Sequence, residues 1–211
     1  GWLPSRPKEF STVRESARFG AFTFLLQIVN YVSVNVPGAV IGRALGAATL
    51  GMYNRAFQVV ALPVQQMVSP LTRVALPYLS TLAREAEPNR LTSVAVSFQQ
   101  VMAYGMLALL SLMGGVSGPA VTVLLGSQWS EAGPIVAILA VGAAFQALGY
   151  IYYWLFLAHA KTKALLFAEL PGRLIMIGGI ALVASWSVEA VAAVSAVGQA
   201  VIWLVCTCFF V

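Results

Sequence analysis

The stretch LGMYNRAFQVVALPVQQMVSPLTRVALPYLSTL, residues 50–82, decides the fold class of this chain. It is mostly apolar and contains no acidic residue. At ~1.5 Å rise per residue, a helix of this length exceeds the ~30 Å hydrocarbon core of a membrane. The stretch therefore predicts a membrane-spanning helix.

One side of this predicted helix is polar. At ~100° per residue, six polar residues fall within one arc of roughly 80°. They are Arg55, Gln58, Gln66, Ser69, Arg73 and Ser80. We interpret the arc as the lining of a polar path through the membrane. The alternative is a helix buried in a bundle, whose polar groups bond to neighbouring helices.

Three prolines, Pro63, Pro70 and Pro77, lie beside this polar arc at seven-residue intervals. Each one removes a backbone N–H donor and bends a helix. We predict that they act as hinges within the span.

The composition of the whole chain is that of an integral membrane protein. Of its 211 residues, 60% are hydrophobic and 9% are charged, whereas about a quarter are charged in soluble domains. The sequence has no metal-ligand spacing, phosphate-binding glycine loop or catalytic serine–histidine–carboxylate set. We therefore expect no enzyme activity, no metal and no cofactor. No basic-aromatic patch suggests a nucleic-acid partner, and the i,i+2 spacing of Cys206 and Cys208 does not indicate a disulfide.

Hydropathy predicts an all-α, polytopic transmembrane bundle with about six spans. The predicted spans are 19–41, 50–82, 91–115, 132–158, the residues between 163 and 184, and 188–211. Residues 1–18 form a basic lead-in, in which EFSTVRESARF (9–19) is expected to be a short interfacial helix. The chain starts on Gly1 and ends without a polar tail, so we interpret it as a fragment.

Several spans besides the second have polar strips of their own. The residues that we predict to line a substrate path are Gln27, Asn30, Arg55, Gln58, Gln66, Ser69, Arg73, Gln100, Tyr104, Gln146 and Tyr150. Charged residues inside spans are functional candidates by default. For Arg73 the alternative is an arginine that reaches to the interface. For Glu169 and Arg173, spaced i,i+4, we favour a self-neutralised pair near the membrane interface.

The distribution of basic residues predicts the orientation. Most Lys and Arg residues lie in 1–18, 83–90 and 159–163, which fall on one side of the predicted bundle. Basic loops stay in the cytoplasm, so these segments, including the lead-in, are predicted to be cytoplasmic. Arg43 and Arg55 lie on the other side.

Four stretches resemble the polysaccharide transporter (Wzx-like) family of the MOP superfamily, the bacterial flippases of lipid-linked oligosaccharides. They are residues 30–57, 62–82 and 121–140, with the motifs IGRALG, LGMYNRAF, LPYLS and LLGSQW, and the opening GWLPSRP followed by RFG at 18–20. The resemblance implies the second six-helix lobe of a two-lobe inner-membrane transporter that works by alternating access, with the first lobe missing from this chain. It also implies a polyprenyl-diphosphate-linked oligosaccharide as substrate, and membrane lipids as surroundings.

The first span departs from this family pattern. Many relatives have an arginine and an acidic residue where this chain has Ser33-Val34-Asn35-Val36-Pro37. Any charge-dependent step assigned to that position is therefore in doubt here. Two other functions stay open: a cation-coupled drug or small-molecule exporter of the same superfamily, and a non-transporting membrane scaffold.

Overall fold

The computed structural model describes the backbone of residues 10–85 and 87–209 and the side chains from residue 17 onward. This part of the chain consists of seven α-helices and one 3-10 helix. The α-helices are α1 Phe10–Ala44, α2 Ala47–Glu85, α3 Pro88–Gly115, α4 Ser117–Leu125, α5 Gly133–Ala158, α6 Thr162–Val183 and α7 Val188–Cys208, and the 3-10 helix Ser127–Ala132 precedes α5.

Six helical segments in the described residues are long and apolar enough to cross a membrane. They are Ala17–Ala44, Ala47–Glu85, Pro88–Gly115, Ser127–Ala158, Thr162–Val183 and Val188–Cys208. The predicted all-α class with about six spans is therefore confirmed. The short helix α4 lies between the third and fourth spans, and the 3-10 helix forms the start of the fourth.

The start of α1 differs from the prediction. We expected a separate interfacial helix over 9–19, but one continuous helix runs from Phe10 to Ala44. No proline lies between Phe10 and Pro37 to interrupt it. Residues 10–18 of the lead-in belong to α1, and residues 1–9 lie outside the described residues.

The centre of the bundle is α5, which packs against α2, α3 and α7, while α6 packs against α7 and α1. Trp154 on α5 is fully buried. Its Nε1–H donates to Thr72 Oγ1 on α2 over 3.1 Å. This bond satisfies a polar group that would otherwise be unpaired in the core.

The helices α6 and α7 cross at two glycines. A Cβ atom added to Gly172 would lie 2.5 Å from the carbonyl oxygen of Gly198, and one added to Gly198 would lie 2.9 Å from that of Gly172. Small residues at a crossing let membrane helices approach closely. This contact sets the spacing of two helices that border the cavity described next.

Candidate substrate path

Two neighbouring cavities form a polar cleft inside the bundle. One, of about 240 Å³, is lined by α1, α5, α6 and α7. The other, of about 380 Å³, is lined mainly by α1, α2, α5 and α7. Both are bordered by Asn30, Gln146, Tyr150 and Gln199, so the cavities adjoin at these side chains. We call the two together the inner cleft.

The sequence predicted part of this lining. Of the predicted path residues, Gln27, Asn30, Gln146 and Tyr150 border the inner cleft. The cleft has further polar lining residues that the predicted path did not include: Thr23, Ser33, Tyr53, Gln65, Tyr153, Ser195 and Gln199. Ser195 and Gln199 are spaced i,i+4 on α7, a signal that could have found them.

Glu169 and Arg173 form an ion pair in the smaller cavity. Arg173 Nη2 donates to Glu169 Oε2 over 3.0 Å, and the two side chains are 9% and 14% exposed, respectively. We favoured a position near the membrane interface. However, Arg173 lies close to the middle of α6 (Thr162–Val183), and the pair borders a cavity. Charge is most costly at the centre of a bilayer, and the position of the pair relative to the interface stays a prediction.

Hydrogen-bond donors near this pair are unused. Within the part of the chain that the structure describes, Arg173 Nε and Nη1 are buried without a hydrogen-bond partner, as is Nε1 of Trp203, a residue that also borders the cavity. A buried donor without a partner costs about 1–3 kcal/mol. These three nitrogen atoms have almost no accessible surface, so they lie within the packing around the cavity and not on its open surface.

The polar arc of α2 does not face the inner cleft. Arg55, Gln58, Gln66, Ser69 and Arg73 are all exposed, and we call these five residues the outer stripe. Val60 and Val64 border the cleft, and at ~100° per residue they lie well over 100° around the helix from the stripe. The predicted path residues therefore lie on two separate polar surfaces, and which of them line a substrate path stays a prediction.

Contacts of the outer stripe are few. Arg55 Nη1 donates to Gln58 Oε1 over 3.2 Å. The Arg55 guanidinium also lies 5.8 Å from the ring centroid of Trp129, in the 3-10 helix. On α3, the predicted path residues Gln100 and Tyr104 are exposed in the same way, Tyr104 by 74%.

The prolines lie inside continuous helices. Pro63, Pro70 and Pro77 are within α2, which runs unbroken from Ala47 to Glu85. Pro37, the departure from the resembled pattern, is inside α1, is buried, and borders the larger cavity. The hinge role of the three α2 prolines stays a prediction.

Comparison with known proteins identifies the family. The family model described as "Polysaccharide biosynthesis protein" matches residues 1–134, more than half of the chain. The chain belongs to this family. It is 30% identical over 140 residues to the teichuronic acid biosynthesis protein TuaB of Bacillus subtilis (strain 168), and 30% identical over 165 residues to the lipopolysaccharide biosynthesis protein WzxC of Escherichia coli (strain K12). It is 25% identical over 164 residues to the succinoglycan biosynthesis transport protein ExoT of Rhizobium meliloti (strain 1021).

These matches cover most of this chain and a minor part of each relative. The aligned shares are 66% of this chain and 29% of TuaB, 76% and 32% for WzxC, and 71% and 33% for ExoT. The chain thus spans about a third of the length of these relatives. No solved structure matches it. Family and fold together identify a multi-pass membrane protein of a polysaccharide biosynthesis family.

Proposed function

We propose that this chain is one lobe of a flippase that moves lipid-linked oligosaccharide units across the bacterial inner membrane for surface polysaccharide synthesis. The outer stripe is the observation that supports this function best. It exposes five polar side chains, two of them arginines, on a helix that is long and apolar enough to span a membrane. Lipid does not solvate such groups, so this face meets water, protein or a polar ligand.

A polyprenyl-diphosphate-linked oligosaccharide fits such a face. Its sugar headgroup cannot cross ~30 Å of hydrocarbon unaided, because its hydroxyls would lose their hydrogen bonds to water. Along the stripe, the side chains of Gln58, Gln66 and Ser69 replace that water, and Arg73 binds the diphosphate by charge-assisted bonds. The prenyl tail stays in the lipid.

The second wall of this path is proposed to be another lobe. Residues 19–211 form one six-helix lobe, and residues 1–18 connect it to the other on the cytoplasmic side. The lengths of the relatives support this arrangement, because the matched region is about a third of each of the three named above. Alternating access between the lobes would then expose the stripe to either side of the membrane.

The size of the inner cleft supports the outer stripe as the headgroup path. Its adjoining cavities of about 240 and 380 Å³ together fall within the roughly 300–1,000 Å³ of pockets that hold drug-sized ligands. An oligosaccharide needs more room. A cation-coupled exporter finds less support, because the carboxylate in the inner cleft, Glu169, is already paired with Arg173.

Substitutions of Arg73 in the complete protein test this proposal. A guanidinium makes paired bonds to phosphate oxygens, whereas an ammonium is a point charge. We therefore expect activity to fall in the order arginine, lysine, glutamine, glutamate, with Arg73→Glu inactive. The measurement is complementation of surface polysaccharide in a flippase-deficient strain, with membrane protein levels quantified in parallel.

Arg84→Gln is the matched control, since Arg84 is exposed in the last turn of the same helix. It should leave surface polysaccharide unchanged. Equal activity of the proteins with arginine, lysine or glutamine at position 73, at matched membrane protein levels, would show that Arg73 does not bind the diphosphate.

The proline hinges need their own test. Replacement of Pro63, Pro70 and Pro77 together by alanine restores three backbone donors and straightens α2. We expect the triple variant to accumulate in the membrane but to lose transport. Pro88→Ala, at the first position of α3, is the control and should transport normally. Normal polysaccharide yield from the triple variant would rule out hinges at these positions.

A further inference from the structure

The smaller cavity of the inner cleft has a neutral charge balance. Glu169 and Arg173 are the charged residues among the described side chains that border it, and they pair with each other over 3.0 Å. Their formal charges cancel. A ligand with a net charge would therefore bring an uncompensated charge to the middle of a membrane helix, which is costly.

The polar groups that border the cavity suit a ligand with both donors and acceptors. The side-chain amides of Gln27, Gln146 and Gln199 each carry an NH₂ donor. Carbonyl and carboxyl oxygens on Gln27, Gln146 and Glu169 and the hydroxyl of Tyr153 add acceptors around the same cavity.

The aromatic walls of the cavity restrict the ligand further. The rings of Phe145 and Trp203 lie 5.7 Å apart at 46°, and Tyr150 and Tyr153 also border the cavity. Aromatic faces combine an apolar surface with polar edges. A pyranose ring is complementary, because its C–H groups form apolar patches while its hydroxyls project around the rim as both donors and acceptors.

We infer that the smaller cavity is a binding site for one uncharged sugar ring, held by the side-chain amides of Gln27, Gln146 and Gln199 and by the aromatic residues that border the cavity. Its volume of about 240 Å³ admits one ring and excludes an oligosaccharide. This inference rests on the proposed transport of a sugar-bearing lipid. It goes further in that it names which sugars this cavity binds. Neutral sugars are accepted, whereas sugars with a carboxylate are rejected by the balanced Glu169–Arg173 pair.

The two cysteines of the chain provide the test. Cys206 borders the cavity and is buried, whereas Cys208 is exposed and does not border it. The complete protein is reconstituted in nanodiscs with either Cys206 or Cys208 as its sole cysteine. The rate of alkylation by a small uncharged maleimide is then measured against the concentration of methyl glucoside, methyl galactoside or the matching methyl uronates.

We expect at least one neutral glycoside to slow alkylation of Cys206, and to do so at about tenfold lower concentration than its uronate, a ratio that corresponds to ~1.4 kcal/mol. Alkylation of Cys208 should not change. Glu169→Gln leaves a net positive cavity and should reverse the preference toward the uronate. Glu131→Gln, an exposed glutamate outside the cavity, should keep the preference of the wild type.

Specific outcomes would overturn the site. Equal protection of Cys206 by a neutral glycoside and its uronate would refute the proposed selectivity. If no sugar protects Cys206, the proposed binding site itself is refuted. If Glu169→Gln does not fold, the selectivity is tested by the ratio of protective concentrations of the uronate and the neutral glycoside in the protein with wild-type Glu169 and Arg173. Because alkylation is measured without transport, protection of Cys206 in a protein that does not complement would refute the flippase and leave the sugar site standing.

Discussion

The outer stripe and the inner cleft are both polar, yet they differ in what surrounds them. Arg73 and its neighbours on the stripe are exposed. In the cleft, Arg173 is buried and paired with Glu169. The two arginines belong to helices that both qualify as membrane spans, but among the described side chains only Arg173 has an acidic partner. An arginine enclosed by its own lobe needs a counter-charge at once, whereas an exposed one can be satisfied by whatever covers its face.

The largest change in stability is expected when one residue of the buried Glu169–Arg173 pair is replaced. Glu169→Leu leaves Arg173 buried and unpaired, and Arg173→Leu does the same to Glu169. We expect each to lower the free energy of unfolding by about 3–5 kcal/mol. Thermal unfolding of the purified protein measures the change.

The double variant Glu169→Leu/Arg173→Leu shows whether the loss comes from an unpaired buried charge. Replacing both charges by apolar side chains should recover most of the lost stability. Arg73→Gln, on the exposed stripe, should change stability by no more than about 0.5 kcal/mol. If the single variants of the buried pair change the free energy of unfolding as little as Arg73→Gln does, the two surfaces do not differ in the way described.

An intermediate effect is expected where α6 and α7 form a wall of the inner cleft. The added methyl of Gly198→Ala would meet the Gly172 carbonyl oxygen at 2.9 Å and the Met176 side chain. Overpacking of this kind costs about 1–3 kcal/mol. Thermal unfolding is again the measurement.

Gly178→Ala is the matched control, because a Cβ at Gly178 meets nothing within 4 Å. Alanine is the better helix former by about 0.8–1 kcal/mol, so this variant should be neutral or slightly more stable. Similar destabilisation by both substitutions would show that the crossing is looser than the structure has it.

The smallest effect concerns a single buried hydrogen bond. Thr72→Val removes the acceptor of Trp154 Nε1–H and should cost about 1 kcal/mol. Thr92→Val is the control: Thr72 and Thr92 both bond the carbonyl four residues earlier, over 2.9 Å, but Thr92 is exposed and has no tryptophan donor. Equal losses in a thermal unfolding comparison would assign the effect to the local bond and not to Trp154.

The sequence predicted the spans well and the lining of the cleft incompletely, for a physical reason. Span length and hydropathy are local properties, so α3 was expected at 91–115 and runs from Pro88 to Gly115. Which helix covers a polar face is a tertiary property. Gln65 and Gln66 are neighbours, yet Gln65 borders the inner cleft and Gln66 lies on the outer stripe. Periodicity placed Gln66 correctly on a polar arc but could not say that Gln65, which is also exposed, would border a cavity formed with other helices.

The pairing of Glu169 with Arg173 has a consequence for how the membrane potential acts on this lobe. Moving one elementary charge through 100 mV changes its energy by ~2.3 kcal/mol. A pair that moves as a unit carries no net charge, so the electric field does no work on it. Any rearrangement that keeps the 3.0 Å contact is therefore insensitive to voltage, whereas one that separates the two side chains along the membrane normal becomes a voltage-dependent step.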